Sequence, residues 1–387
     1  MAGKDKPYRV YRGGRARGPI RREPTKEEAG RRTDGADAYK YKGPKAPRKP
    51  GRWRRRILWA LAGLIVLTLV WALLGYLAVR RGIKDANKRL DPIAARALTP
   101  QDGLMLSNPS NILVLGADVG GARGGTGGRS DSIVLIRTDP DEHKIALLYI
   151  PRDLRVDIPR HGPQKINAAY AFGGAALAIK TVEQVTGLLV NHVVVVDFTT
   201  FADVIRALGG ITVDVPRRIL SNKFECPKGS KAACERWPGW RFKAGEQTMN
   251  GRRALLYARI RENQLNPGES DFTRGERQQA VIEAIADKTI SFKTFIKGPF
   301  IGDDLVRPLA TDLSAAQILQ LGWVKWRTPS SGRLRCRLGG TIADIGGQSF
   351  VIGSEENVSV IAMVTGKSAP QPPPPGSGPF GPGCRVG

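Results

Sequence analysis

Residues 111–116 read NILVLG, residues 132–138 read SIVLIRT and residues 144–150 read KIALLYI. Each is a short run of aliphatic and β-branched residues bounded by turn formers, so each is predicted to be a buried strand. Asp139-Pro140-Asp141 supplies turn chemistry between the second run and the third, which predicts an antiparallel hairpin. Working outward, HVVVVDF at 192–198 reads as a fully buried strand and ITVDV at 211–215 as another. Between and after them the apolar period lengthens to that of a helix. Helices are predicted at 173–187, with Leu177, Val182 and Val185 turned inward, then at 199–208, 250–257, 271–289 and, as the last, 314–323. Strands interleaved with helices define an α/β protein: a three-layer α-β-α sandwich with a central mixed sheet.

One segment is of a different kind. Residues 57–79 read ILWALAGLIVLTLVWALLGYLAV and carry no charge. At about 1.5 Å per residue the run spans roughly 34 Å, enough for a bilayer core. Trp53, Trp59, Trp71 and Tyr76 suit its interfaces. Arg52, Arg54, Arg55 and Arg56 precede it, and by the positive-inside rule they hold the N-terminus in the cytoplasm; Arg80, Arg81 and Lys84 follow, but the larger excess lies before it. Both the run and the tail before it are too long for a cleaved signal peptide, so a single-pass signal anchor in the cell membrane is predicted. The chain then divides into a disordered basic cytoplasmic tail (1–56), the anchor (57–79), a juxtamembrane connector (80–108) with a short helix around 83–98, an extracytoplasmic domain (109–366) and a Pro- and Gly-rich C-terminal tail (367–387), loose apart from Cys384.

The net charge of +26 is unevenly placed. The first 56 residues hold 20 of the 61 Lys and Arg but only 6 of the 35 Asp and Glu, more than half the excess. This tail has no apolar period and no helix-turn-helix pattern, and few aromatics, Tyr8, Tyr11, Tyr39 and Tyr41 among them, interleave its charges, so nucleic acid is not an expected partner. The three histidines, His143, His161 and His192, are scattered, which argues against a His-rich zinc site. No HExxH, GxSxG or Walker A pattern is present, which excludes those metalloprotease, hydrolase and NTPase classes. Four cysteines in an oxidising compartment predict two disulfides with three possible connectivities. The pairing Cys226–Cys234 with Cys336–Cys384 is favoured, because the first closes a small loop and the second ties down the tail.

Three clusters carry candidate chemistry. Asp118 follows the first strand and Asp131 precedes the second, across a Gly-rich loop that ends in Arg129. If the strands are neighbours, both carboxylates share one end of the sheet. Two carboxylates without histidine are hard oxygen ligands suited to Mg²⁺ or Mn²⁺ beside a phosphate; the alternative is a pair of turn aspartates. The second cluster sets Arg152 and Lys165 near strand and helix ends, where they bind an anion or pair with Asp153 and Asp157. In the third, Arg259 and Arg261 share a face if residues 257–261 are extended, and Arg274 and Gln278 share a helical face that Val281 and Ile285 continue as an apolar stripe. Arginines gathered on one pocket make a polyanion clamp, since guanidinium forks match phosphate oxygens; salt bridges on a basic surface are the alternative.

The pieces NILVLGAD, RSDSIVL, IPRDLRVDIP, KINAAYAFGG, VEQVTG, FADVIRALGGITVDVP, MNG-x2-ALLYARIR and DFTRGERQQAVI follow one another between residues 111 and about 288. In these the chain resembles the LytR–CpsA–Psr proteins of bacterial cell envelopes. The resemblance implies a phosphotransferase that moves a glycopolymer from a polyprenyl-pyrophosphate lipid carrier onto peptidoglycan, forming a phosphodiester in cell-wall assembly. It places Asp118 and Asp131 on the metal-associated aspartates, with Mg²⁺ or Mn²⁺ as cofactor. It places Arg129, Arg152, Arg259, Arg261, Arg274 and Gln278 on the pyrophosphate-binding set, with Lys165 as a weaker member. Asp118, Asp131 and Arg152 are thereby the catalytic candidates, either aspartate being a candidate base toward the acceptor hydroxyl. The expected partners are the lipid-linked glycopolymer, peptidoglycan and the membrane. Where this sequence departs from the family, the insert at 221–240 with Cys226 and Cys234 is expected to shape the rim. A membrane-anchored pyrophosphatase, with water replacing the sugar hydroxyl, would use the same residues; the other alternative, a non-catalytic lipid-binding regulator (transcriptional attenuator), is spoken against by the full set of arginines and both aspartates.

Overall fold

The computed structural model describes residues 52–117, 128, 130–266, 271–375 and 381–387. The basic tail to residue 51, Asp118 and Arg129 therefore lie outside the described residues. The apolar run is one long helix, α1 (Arg52–Arg89), whose 38 residues extend about 57 Å. Nothing breaks it at residue 79, and its last turns bury Ala78, Ile83 and Ala86. It stops before Asp91, whose carboxylate accepts the Ile93 N–H at 2.8 Å and caps the short α2 (Pro92–Ala97), with Pro92 pre-set for the first helical turn. The connector is thus mostly the continued anchor helix followed by a single extra turn and a half.

The strands then arrive as the patterning demands. They are β1 (Ser110–Ala117), β2 (Ser130–Asp139), β3 (Lys144–Tyr149), and the small ribbon β4 (Arg155–Ile158) with β5 (Gly162–Lys165). Helix α3 (Ala168–Thr186) starts earlier than its apolar period suggested and is broken by Gly173 and Gly174; Gly187, at φ 66°, ends it in the left-handed conformation. Val182 is buried in α3 and Val185 packs against the core, but Leu177 is only half-buried, since Ala175, Ala178 and Ile179 take the core face. Next come β6 (His192–Asp197), α4 (Phe198–Ala207), β7 (Ile211–Val215), β8 (Ile219–Leu220), α5 (Lys231–Arg236), β9 (Arg241–Phe242), β10 (Gly245–Met249) and α6 (Gly251–Arg259). The chain closes with α7 (Asp271–Thr289), α8 (Phe292–Val306), β11 (Ala310–Thr311), α9 (Ala315–Arg327), β12 (Arg333–Arg337), β13 (Gly340–Ile345), β14 (Gln348–Gly353), α10 (Asn357–Val364) and β15 (Gly383–Val386).

Seven strands form the central sheet in the order β11-β6-β1-β2-β3-β12-β15. β1 runs parallel to β6 and β3 parallel to β12, while the remaining pairs are antiparallel, so the sheet is mixed and β2–β3 is the expected hairpin. Alternation assigns the faces. Leu113, Leu115, Ile133, Leu135 and Leu148 point to one side, into a core completed by α3 and α10. Val134, Leu147 and Tyr149 point to the other, beneath Ile282 of α7 and Val324 of α9. A separate core lies between α4, α6, α7 and the β7–β10 ribbon, built on Ile205, Ile211, Met249, Leu256 and Val281.

Two expectations are corrected at the C-terminus. The helix expected to be last runs on to Arg327 and is followed by β12, a hairpin and α10. The expected loose tail ends in β15, which pairs with β12 and sets Cys384 directly opposite Cys336. Strand pairing and the disulfide together order a segment whose composition reads as a linker. Both favoured disulfides, Cys226–Cys234 and Cys336–Cys384, are present.

Candidate functional site

The site grows from the end of β1 and the start of β2. Gly116 pairs with Ser132 but Ala117 pairs with Ser130, so the register slips and Asp131 occupies a bulge. A bulge re-aims the side chain it carries, and such irregularities recur beside active sites. Asp197, which caps α4, lies opposite Ala117 at the same end of the sheet. Close by, burial first and Asp197 second hold the Tyr170 phenol above its ordinary value, hence neutral.

Arg152 follows β3 through Ile150-Pro151 and reaches back to the bulge. Its Nη1 donates to Asp131 Oδ1 at 2.7 Å, and its Nε donates to Asp153 Oδ2 at 3.2 Å. Lys165 Nζ lies 2.9 Å from Asp153 Oδ1 and over the Phe350 ring. The second cluster therefore pairs with Asp153 rather than Asp157. Arg152 joins the site through Asp131, and Lys165 stands one carboxylate further out.

The two arginines at i and i+2 meet by a different route from a continuous strand. α6 runs through Arg259, and the backbone turns extended only at Ile260 (φ −60°, ψ 127°). The buried Arg277 fixes that exit, its Nη2 donating to Ile260 O at 2.6 Å. Both Arg259 and Arg261 thereby line one cavity of about 220 Å³, with Asp131, Asn222, Phe224, Arg274 and Gln278. Arg274 is 3% exposed, and its Nη2 lies 3.5 Å from the Asp131 carbonyl oxygen. Gln278 Nε2 donates to Ala258 O at 3.4 Å. The cavity carries three guanidiniums and one carboxylate, a field that selects an anion.

What holds α7 in place was not legible beforehand. Gln279 is buried, and its amide donates to Leu147 O at 3.0 Å and Cys336 O at 2.9 Å, bridging two strands. Gly275 lies flat on the Tyr149 ring, where a Cβ would come within 2.6 Å. Asn222 and Phe224 were missed as lining residues, although the insert that contains them was expected to form the rim. The same insert brings the Glu225 carboxylate into an ion pair with Arg259, and Trp240 Nε1 donates to Phe224 O at 3.0 Å. The signal that would have found these residues is the cysteine-bounded loop itself, since a short staple has a geometric purpose.

Among the described residues no cluster of three or more His, Cys, Asp or Glu is placed to hold a metal. The donor set nevertheless suits a hard cation. Asn222 Oδ1 and Gln278 Oε1 are buried with no hydrogen-bond partner among the described residues, and both residues line the cavity with Asp131. Oxygen donors of this kind match Mg²⁺ or Mn²⁺ and not zinc.

Fold and site together define an α/β domain with an arginine clamp at one end of a mixed sheet. The chain belongs to the LytR_cpsA_psr family, whose model matches residues 78–338. It is 31% identical over 260 residues, 65% of this chain and 78% of the relative, to the polyisoprenyl-teichoic acid–peptidoglycan teichoic acid transferase TagU of Halalkalibacterium halodurans. Its fold is similar to the crystal structure of Bacillus subtilis TagV, with a TM-score of 0.56 and 28% identity over 67% of this chain and 97% of that one. It is also similar to a LytR-CPS2A-psr family protein, YwtF (TagT), with bound octaprenyl pyrophosphate lipid, at a TM-score of 0.50 and 26% identity over 69% and 92% of the two chains.

Proposed function

We propose that this protein is a membrane-anchored phosphotransferase that moves a glycopolymer from a polyprenyl-pyrophosphate carrier onto peptidoglycan. The observation that carries the reading is the convergence of Arg259, Arg261 and Arg274 on a 220 Å³ cavity beside Asp131, itself held by Arg152. A relative named as a teichoic acid transferase and a neighbour holding octaprenyl pyrophosphate support the same chemistry. In this reading α1 crosses the membrane once, with the basic tail inside and the catalytic domain outside.

The chemistry follows from charge. A pyrophosphate diester brings two phosphates, and the guanidiniums of Arg259, Arg261 and Arg274 bind their oxygens and orient the bridging bond. The acceptor sugar hydroxyl attacks the phosphorus that bears the glycan. The bond from that phosphorus to the bridging oxygen breaks, and the lipid leaves as its monophosphate. Asp118 or Asp131 takes the hydroxyl proton. Arg152 fixes the Asp131 carboxylate, and the guanidinium of the buried Arg274 stabilises the negative charge that spreads over the phosphoryl oxygens. Asp118, Asp131, Asn222 and Gln278 would hold Mg²⁺ or Mn²⁺, which when bound neutralises charge on those oxygens. Arg129 is assigned to the pyrophosphate-binding set by the family resemblance, and Lys165 supports the clamp through Asp153, which pairs with Arg152.

The test uses the full chain in lipid nanodiscs with a polyprenyl-pyrophosphate-linked oligosaccharide, a peptidoglycan acceptor and Mg²⁺, read by mass spectrometry. A phosphate-linked product that disappears on chelation, and in Arg152→Ala and Asp131→Ala, is the expected result. Release of phosphate without a linked product would make the protein a pyrophosphatase. Lipid binding without turnover in any divalent metal would make it a regulator.

A further inference from the structure

We propose that α8 is a second membrane element, an interfacial helix that inserts its apolar edge into the outer leaflet of the bilayer beside α1. The proposal rests on the reading of α1 as the membrane span. The two helices run side by side in the same direction, in contact through small residues. A Cβ at Gly75 would stand 3.7 Å from Gly298 and Pro299, one at Gly302 would stand 3.0 Å from Val79, and one at Gly82 would meet the Asp303 carbonyl oxygen at 2.6 Å. Trp71 and Phe300 stack edge to face with ring centroids 5.7 Å apart. Trp71 lies 14 residues past Ile57, roughly 21 Å along a run whose length is that of the bilayer core. Whatever touches Trp71 and Gly75 is therefore carried below the level of the headgroups.

The composition of α8 follows that depth. Its first half reads FKTFIKGPF, and Phe295, Ile296 and Phe300 are 47%, 47% and 72% exposed. Leu73 and Leu74 of α1 are exposed at the same level, at 55% and 46%. Its last turns carry Asp303, Asp304 and Arg307, which pair among themselves. They lie level with the stretch of α1 that carries Arg80, Arg81, Lys84 and Asp85. The polar-to-apolar gradient thus has the same sense and the same register on both helices. A protein partner would have no reason to match that register; a bilayer imposes it. Lys297, level with Leu74 toward the outer end of the run, is exposed beside the apolar edge, and an ammonium on a long stem reaches lipid phosphates while its stem stays apolar; the exposed Lys293 lies about one turn deeper. α8 follows α7, which carries Arg274 and Gln278, so insertion would hold the clamp at a fixed height above the membrane.

The experiment measures depth in the full chain. Phe295→Cys, Ile296→Cys and Phe300→Cys are each spin-labelled in phosphatidylethanolamine–phosphatidylglycerol vesicles, and collisions with oxygen and with a water-soluble nickel chelate are compared. The native cysteines are all in disulfides, so the label has one target. Leu67→Cys and Asp304→Cys serve as references for lipid and water. Oxygen contact exceeding nickel contact at the three positions, reversed at Asp304, is the expected pattern. Nickel contact at all three positions equal to that at Asp304, with Leu67 still in lipid, would overturn the proposal while leaving the anchor intact. Exclusion of both reagents would assign the edge to a protein partner instead. Water-like contact at Leu67 would remove the span itself, and α8 with it.

Discussion

Helix α7 separates two cavities that differ in size and in charge. On one side lies the clamp, about 220 Å³, lined by Arg259, Arg261 and Arg274 and by one carboxylate, Asp131, with Glu225 paired to Arg259. On the other lies a wider cleft of about 520 Å³ bounded by β7, β12 and β15. It holds five arginines, at 217, 277, 335, 337 and 385, and five carboxylates, at 214, 246, 276, 283 and 287. There Arg335 pairs with Glu283, Arg337 with Glu276, and Arg333 lies 3.7 Å from Asp287. Arginines at alternate positions of β12 meet acids on one face of α7, which fastens the helix to the sheet. Of these two, the wide cleft has the greater volume, but charge chooses the narrow one. A polyanion gains little from a cleft whose lining arginines are matched one for one by lining carboxylates, and more from a cavity lined by three arginines and one carboxylate.

Arg274→Ala breaks the clamp at its most buried member and should have the largest effect. Loss of a charge-assisted contact to a transferring phosphoryl group costs on the order of 10²–10³ in rate. Transfer should fall by that factor with binding of the pyrophosphate lipid weakened in step, as kcat/KM measurements would show. A change of less than about threefold would mean that the anion sits elsewhere.

Gly275→Ala tests whether the clamp depends on how α7 seats. The added Cβ meets the ring of Tyr149, which is 2% exposed and has nowhere to go. Overpacking of this kind costs about 1–3 kcal/mol and shifts the helix. Displacement of about 1 Å lowers a rate on the order of 10²-fold. Activity should therefore drop far more than thermal stability does, and Gly275→Ala/Tyr149→Leu should recover part of it. Equal losses in both would mean that Gly275 serves packing alone.

The strands and the clamp helix were legible because their patterns are local. An aliphatic run bounded by turns reads as strand wherever it packs, and Arg274 with Gln278 share a face by helical period alone. The C-terminal sheet edge was not legible, because a strand made of Gly383, Cys384 and Arg385 has no apolar pattern and depends on a partner 48 residues away. Gln279 was invisible for a related reason. Its two acceptors, Leu147 O and Cys336 O, are backbone groups from distant segments, and no side-chain pattern announces them. Arg259 and Arg261 were brought to one face, although by a helix end rather than by a strand.

The rim and the fastening give smaller effects. Cys226→Ser/Cys234→Ser removes a staple over a short loop, worth about 2–3 kcal/mol on chain-entropy grounds. The loss should fall on the insert that carries Asn222 and Phe224. A several-fold rise in KM with kcat nearly unchanged is expected, whereas a fall in kcat alone would place the insert in the chemistry.

Arg337→Ala is the smallest change and the one that bears most directly on the contrast between the cavities. Burial pushes this guanidinium below its ordinary value against the opposing pull of Glu276, and its ion pair with Glu276 gives the charge a local partner. Its Nε donates to Gly381 O at 2.7 Å, tying the last strand to the sheet. Removing it should lower stability by roughly 1–2 kcal/mol, a few degrees in a thermal melt. Transfer should stay within about twofold, since no phosphate contact is lost. A loss of activity approaching that of Arg274→Ala would show that the balanced cleft also handles substrate, and charge excess would no longer tell the two cavities apart.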